Sequence, residues 1–159
     1  MELTREQIDA NKERFLGLIN TITREGANIP LLNRQLTTSD FFTAPASTKY
    51  HGAFEGGLCE HCLYVYDNLV KLNDTFNYGL DKESMIIVAL LHDFEKMGKY
   101  KKDFKNVKVY SPEGKKKDPG GNFDWEVQEG WCGGGWSRRG IGVTKGPSWT
   151  YICPRVQSS

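Results

Sequence analysis

Two histidines and an aspartate form the pattern in this chain that is best suited to chemistry. His92 and Asp93 directly follow the apolar run Met85–Leu91, and His61 lies inside the Gly-Gly-Leu-Cys-Glu-His-Cys stretch at 56–62. The chain has only three histidines, so two of them belong to this pattern. Imidazole and carboxylate together suit Mn, Fe, Co, Ni, Zn or, less well, Mg. A divalent ion held in this way can lower the pKa of water and supply a hydroxide nucleophile at neutral pH.

Two helices must bring these ligands together. The apolar spacing predicts a helix over about residues 57–72, and Asp81 is typical of the N-cap of a second helix that runs to about Phe94. The separation of 31 residues between His61 and His92 allows two antiparallel helices of about four turns that meet at a common point. Single core histidines are common, but burying the neighbouring carboxylate without a partner would be costly, which favours a metal.

The preceding sequence predicts an all-α domain. Thr4 and Gln7 have the spacing of a capping box, which indicates a helix over about residues 5–24. A shorter helical piece is predicted at 31–36. We therefore expect residues 1–110 to form a helical bundle.

Residues 111–159 have a different character. Proline and glycine mark a loop, and the alternation of Phe123, Trp125 and Val127 with polar residues indicates a short strand. From Cys132 onward no helical or strand period continues, so we expect an irregular, poorly ordered tail rich in glycine and tryptophan.

Composition narrows the class of protein. The 159 residues are 38% hydrophobic and 26% charged, which is typical of one globular domain. No stretch is apolar enough to span a membrane and the polar N-terminus is unlike a secretory signal, so we expect a cytoplasmic protein without a membrane partner. Cys59 and Cys62 fit small core residues in a reducing compartment. The alternative, a zinc site with Cys132 and Cys153, lacks a second Cys-x-x-Cys pair.

Charge is unevenly distributed along the chain, although the net charge is only +1. Residues 1–95 carry eight basic and fourteen acidic residues, whereas residues 96–117 carry nine lysines against two acidic residues. A basic segment directly after the His-Asp pair suits an anionic substrate, and Lys99 is one candidate contact. A solvated lysine-rich surface loop is the alternative interpretation.

The stretches Pro45–Leu63 and Ala89–Lys96 together resemble the HD-domain metal-dependent phosphohydrolases. Within that superfamily they are most similar to small HD proteins of bacteria and phages, and they also resemble the HD domain of a bacterial 3′-to-5′ exoribonuclease. The similarity covers about residues 38–110. It implies a helical fold, a divalent metal and hydrolysis of a phosphate ester or anhydride.

The resemblance also implies a role for each residue of the pattern. His61, His92 and Asp93 would hold the metal, and Asp93 would orient or deprotonate the attacking water. Lys96 matches the lysine of a His-Asp-x-x-Lys motif and would stabilise charge on the phosphoryl oxygens. His51 matches a histidine before Gly-Gly-Leu. It would contact a phosphate, ligate a second metal or only pack the loop.

The chain departs from the family pattern downstream. Relatives close the metal site with a later aspartate and usually carry further histidines, but no histidine follows His92 here. The later aspartates are Asp103, Asp118 and Asp124, and none lies in a matching context. After about Glu129 the sequence turns abruptly to Gly, Trp, Arg and Ser, so we expect a truncated or frame-shifted C-terminal part.

The expected function is hydrolysis of a nucleotide or a short nucleic-acid end by a metal-activated water. One alternative is a 3′-to-5′ exonuclease. The other is a catalytically impaired HD domain that binds metal or nucleotide without turnover. No feature of the sequence specifies an oligomeric state.

Overall fold

The computed structural model describes residues 2–111, 114–115 and 125–133. Two compact units are distinguished, Met1–Tyr100 and Lys101–Ser159. In chain order the elements are α1 (Arg5–Ile19), α2 (Ile29–Thr38), α3 (Gly57–Phe76), α4 (Lys82–Leu91), a 3-10 turn (Phe94–Lys96), β1 (Tyr100–Lys108), β2 (Tyr110–Ser111), β3 (Gly114–Lys115) and β4 (Trp125–Gly133).

The first helix begins where its capping signature predicts. The Thr4 hydroxyl accepts from the backbone of Gln7, and the Gln7 side chain accepts from the backbone of Thr4. The helix ends at Ile19, five residues before the predicted end. There the Thr21 hydroxyl donates to the Leu18 carbonyl oxygen at 2.7 Å, which offers the backbone a local alternative to further helix.

The core of the first unit is built from all four α-helices and the segment between α2 and α3. Phe15, Phe41 and Phe42 form an aromatic cluster with ring centroids 5.0–5.7 Å apart. The buried faces of α3 and α4 pack against this cluster. These faces contribute Leu58, Cys59, Cys62, Leu63, Tyr66, Met85, Ile86, Ala89 and Leu90. The core therefore fixes α3 against α4, which are the helices predicted to carry the metal ligands.

Helices α3 and α4 both have recognisable ends. The Asp81 side chain accepts from the backbone N–H of Ser84 at 2.9 Å, as predicted for an N-cap. Helix α3 extends beyond residue 72 to Phe76 and ends at Asn77, whose φ of 53° lies in the left-handed region. No helix within the described residues is long and apolar enough to cross a membrane.

The prediction of an all-α fold is wrong, because the structure contains β-strands. β1 pairs with β4 in one two-stranded sheet, and β2 pairs antiparallel with β3 in another. The lysines of β1 have low intrinsic strand preference, so the local sequence does not mark this strand. Its partner lies beyond a segment rich in glycine and proline, so pairing between distant residues overrides the local signal.

The short strand predicted around residues 123–127 is found in part. Trp125 and Val127 belong to β4, whereas Phe123 lies outside the described residues. The irregular tail expected from Cys132 onward also lies outside them, except for Cys132 and Gly133 at the end of β4.

Candidate metal centre

Three side chains from two adjoining helix ends form the centre of the candidate site. His61 lies in the second turn of α3, and His92 is the residue that caps the C-terminus of α4. Asp93 follows directly and is the N-cap of the 3-10 turn. Because α3 and α4 pack through their apolar faces, the partly exposed edge of α3 that carries His61 is held beside the end of α4.

The three potential ligand atoms are nearly equidistant. His61 Nε2 lies 3.3 Å from His92 Nε2, and each nitrogen lies 3.4 Å from Asp93 Oδ2. Ligands about 2.0–2.2 Å from one tetrahedral ion lie roughly 3.3–3.6 Å from one another. The spacing of the donor atoms therefore fits a small divalent cation. This is the one group of three or more His, Cys, Asp or Glu ligands within the described residues.

The backbone fixes the orientation of the His92 ring. His92 Nδ1 lies 2.7 Å from the carbonyl oxygen of Ala89. Because a carbonyl oxygen can only accept, Nδ1 carries a proton, so in the neutral ring the lone pair is on Nε2, the nitrogen that faces His61 and Asp93. A hydrogen bond of this kind, from the outer ring nitrogen to a backbone carbonyl, is typical of metal-ligating histidines.

The electrostatic surroundings favour neutral imidazole at His61. Burial lowers the pKa of His61, and the neighbouring His92, His51 and Lys96 act in the same direction against the carboxylate of Asp93. Metal ligation requires the unprotonated nitrogen, so a lowered pKa extends the pH range in which His61 can be a ligand.

Lys96 joins the site through the same carboxylate oxygen that faces the histidines. Its Nζ donates to Asp93 Oδ2 at 2.8 Å and to the carbonyl oxygen of Ala46 at 3.1 Å. Burial lowers the pKa of Lys96, but the hydrogen bond and the charge of Asp93 outweigh this effect, and the pKa is raised overall. Lys96 is therefore a retained positive charge at the edge of the ligand cluster.

The segment 43–46 connects this lysine to the start of α3. The carbonyl oxygens of Thr43 and Ala44 accept from the backbone N–H groups of Gly56 and Leu58, both at 3.0 Å. Two residues after Ala44, the carbonyl oxygen of Ala46 accepts from the ammonium group of Lys96. The sequence reasoning did not identify Ala46 or Ala89, because their contribution is a backbone oxygen that any residue could supply.

A close approach of two glycines shapes the loop that carries His51. Gly52 has a φ of 63°, and its carbonyl oxygen lies only 2.2 Å from where a Cβ on Gly57 would stand. Gly52 also accepts from the backbone N–H of Ala46 at 2.8 Å. The loop can therefore lie directly on the first turn of α3 only because position 57 lacks a side chain.

The two remaining predicted site residues have different surroundings. The ring of His51 lies beside that of His61, with centroids 4.9 Å apart, and His51 is exposed. It is not one of the three clustered ligands. Lys99 is also exposed, and its Nζ lies 3.1 Å from Glu95 Oε2. The described contacts thus connect His51 with the cluster and Lys99 with a surface carboxylate.

The two cysteines of α3 are core residues, as predicted. Cys59 and Cys62 are buried among the apolar side chains of the helices. Burial, together with the charge of Asp93, raises the pKa of Cys62 to about 12, and burial likewise raises the pKa of Cys59. Since a thiol must lose its proton to bind zinc, both residues are unfavourable ligands in this setting.

Comparison of the chain with protein-family models, curated proteins and solved structures gave no match. Function is therefore inferred from the residues of the cluster and their geometry.

Proposed function

We propose that this protein is a divalent-metal-dependent phosphohydrolase of the HD type that acts on nucleotides or nucleic-acid phosphoesters. The observation that carries the proposal is the mutual spacing of 3.3–3.4 Å among His61 Nε2, His92 Nε2 and Asp93 Oδ2. The His-Asp-x-x-Lys order of residues 92–96 and the resemblance of the surrounding sequence support the HD assignment.

The set of three ligands found within the described residues favours catalysis over a structural role for the ion. Structural zinc sites are usually closed by four protein ligands, whereas catalytic sites use three and leave a position open. The side chains of His61 and His92 remain 23% and 33% exposed, so the cluster is accessible from solvent. When bound, a divalent ion supplies Lewis-acid polarisation of a phosphoryl group and activation of water.

The chain's own residues provide the remaining parts of a phosphohydrolase site. The ammonium group of Lys96 can stabilise negative charge on phosphoryl oxygens beside the ligand cluster. The exposed ring of His51, next to His61, can hydrogen-bond a phosphate oxygen. The carboxylate of Asp93 can orient the attacking water and accept its proton.

The lack of the family's downstream histidines, and of an aspartate in a matching context, favours a second candidate, an impaired domain that binds metal without turnover. The cluster contains three ligands, and no fourth His, Cys, Asp or Glu joins it within the part of the chain that the structure describes. If catalysis requires a further carboxylate to bind a second ion or to hold the water, the three-residue cluster would bind an ion and remain inactive.

The test is Mn²⁺-dependent release of phosphate from a panel of mononucleotides, together with shortening of a 5′-labelled oligonucleotide. Wild type is compared with Asp93→Asn, which retains the side-chain volume but removes the charge, and with Asp74→Asn, an exposed control at the far end of α3. We expect turnover in wild type and Asp74→Asn and its loss in Asp93→Asn. Shortening of the oligonucleotide alone would favour the exonuclease.

Metal binding without turnover on any substrate would favour the impaired domain. Turnover that survives in Asp93→Asn would contradict the proposal, because the charge of the carboxylate would then be dispensable.

A further inference from the structure

Lys96 contacts the one carboxylate oxygen that also faces both histidines. Its Nζ lies 2.8 Å from Asp93 Oδ2, and the same oxygen lies 3.4 Å from the Nε2 atoms of His61 and His92. The lysine side chain is 20% exposed and is anchored a second time by the carbonyl oxygen of Ala46. Asp93 Oδ2 is therefore the atom that the ammonium group of this chain contacts and that the proposed divalent ion would also contact.

We propose that Lys96 acts as an internal cation that competes with the metal for Asp93 and so weakens and regulates metal binding at the site. This inference rests on the proposed metal-dependent function. Lys96 would hold the carboxylate in place and neutralise it before metal binding. A metal that binds would displace the ammonium from Oδ2, while the Ala46 carbonyl keeps it at the edge of the site.

The distances require strong coupling between the two cations. An ion ligated at about 2.0–2.2 Å from Oδ2 would lie within roughly 5 Å of an ammonium that stays 2.8 Å from the same oxygen. Repulsion between a divalent and a monovalent cation at this separation weakens binding by about tenfold or more, even in a partly exposed site. The lysine must therefore move away from Oδ2 or reduce the affinity for the metal.

The Ala46 anchor gives this exchange a functional consequence. If Lys96 is released from the carboxylate but remains near the Ala46 carbonyl, its charge becomes available to an anion only after the metal has bound. The lysine would then support phosphate binding in the metal-loaded protein and oppose metal binding in the metal-free protein. Lys96 would thus strengthen the binding of phosphate and weaken the binding of the metal.

The experiment measures Mn²⁺ affinity by calorimetry for wild type, Lys96→Met and Lys99→Met. Lys99→Met removes an equal charge three residues away, where the lysine pairs with Glu95 at the surface. We expect Lys96→Met to bind Mn²⁺ about tenfold more tightly or better. Lys99→Met should remain within about twofold of wild type, because exposed charges are screened.

A second readout uses the wild-type protein and is independent of folding in the variant. Lysines are labelled with an amine-reactive reagent with and without Mn²⁺, and modification at each position is measured by mass spectrometry. Labelling of Lys96 should increase with Mn²⁺, because the ammonium leaves the carboxylate, whereas labelling of Lys99 should stay constant.

The outcomes separate this inference from the proposed function. If wild type binds Mn²⁺, but Lys96→Met binds it no more tightly and Lys96 labelling does not rise, the competition is disproved while the metal site remains. If neither wild type nor Lys96→Met binds any divalent ion, the proposed function fails as well. Binding that is detectable only in Lys96→Met would support the competition directly.

Discussion

Replacing Gly57 with alanine should destabilise the protein, although Gly57 is the first residue of a helix and alanine normally favours helices. A Cβ at this position would stand 2.2 Å from the Gly52 carbonyl oxygen and 2.8 Å from the Gly52 carbonyl carbon. These are backbone atoms, so no side chain can rotate to relieve the overlap. The loop must move away from α3, and the hydrogen bond from Ala46 N–H to Gly52 O at 2.8 Å would be strained.

The size of the effect follows from two opposing terms. Overpacking of this kind costs about 1–3 kcal/mol, and the short distance to backbone favours the upper end of that range. The gain in helix propensity from glycine to alanine is at most about 1 kcal/mol. We therefore expect a net loss of about 2 kcal/mol in the free energy of unfolding. This corresponds to a fall of about 1 M in the urea midpoint.

Gly17→Ala is the matched control, because it makes the same substitution in a helix without the overlap. Gly17 lies within α1, is exposed, and a Cβ there would have no other atom within 4 Å. It should stabilise the protein by about 0.5–1 kcal/mol. Both variants are measured by urea unfolding followed by circular dichroism. If Gly57→Ala were as stable as wild type, the Gly52 carbonyl could not lie as close to the first turn of α3 as the structure places it.

Two further predictions concern the core and an ion pair. Phe15→Ala removes a fully buried ring from the aromatic cluster and should cost about 3–5 kcal/mol in urea unfolding, whereas Val88→Ala at an exposed position of α4 should change stability by less than about 0.5 kcal/mol. If the two variants lost the same free energy of unfolding, the assignment of Phe15 to the core would be wrong. The hydrogen bond from the Arg14 guanidinium lowers the pKa of Asp67 below its usual 3.8, so this pair stabilises the fold above that pH and the effect is lost as pH falls through the folded-state pKa. Arg14→Gln should therefore be less stable than wild type by under about 1 kcal/mol at pH 7 and equally stable near about pH 2. A difference that persists in acid would show that Arg14 acts through packing.

Local patterns carried much of the information about the first unit. The capping box at Thr4 and the N-cap at Asp81 are formed as predicted, because they depend on residues three apart. The apolar spacing over residues 57–72 predicted α3, although the helix continues to Phe76. Packing of α3 against α4 brings His61 Nε2 and His92 Nε2 to 3.3 Å, as expected for one histidine from each helix.

The features that the sequence reasoning missed depend on distant backbone atoms. The carbonyl of Ala46 anchors Lys96 across 50 residues, and no side-chain type marks that oxygen. The pairing of β1 with β4 is similarly non-local, and the prediction of a helical bundle through residue 110 missed it. Both features arise from the path of the chain and have no periodic signature.

We propose that His61, His92 and Asp93 together bind a divalent ion. The most direct measurement is the Mn²⁺ or Zn²⁺ stoichiometry of the folded protein by equilibrium dialysis, for wild type and His61→Ala, with Cys59→Ser as a control in the core of the same helix. Circular dichroism verifies that each protein is folded. We expect about one ion per chain in wild type and Cys59→Ser, and at least a tenfold weaker affinity in His61→Ala. A folded wild type that binds no divalent ion, or a His61→Ala variant that binds it as well as wild type, would contradict the claim.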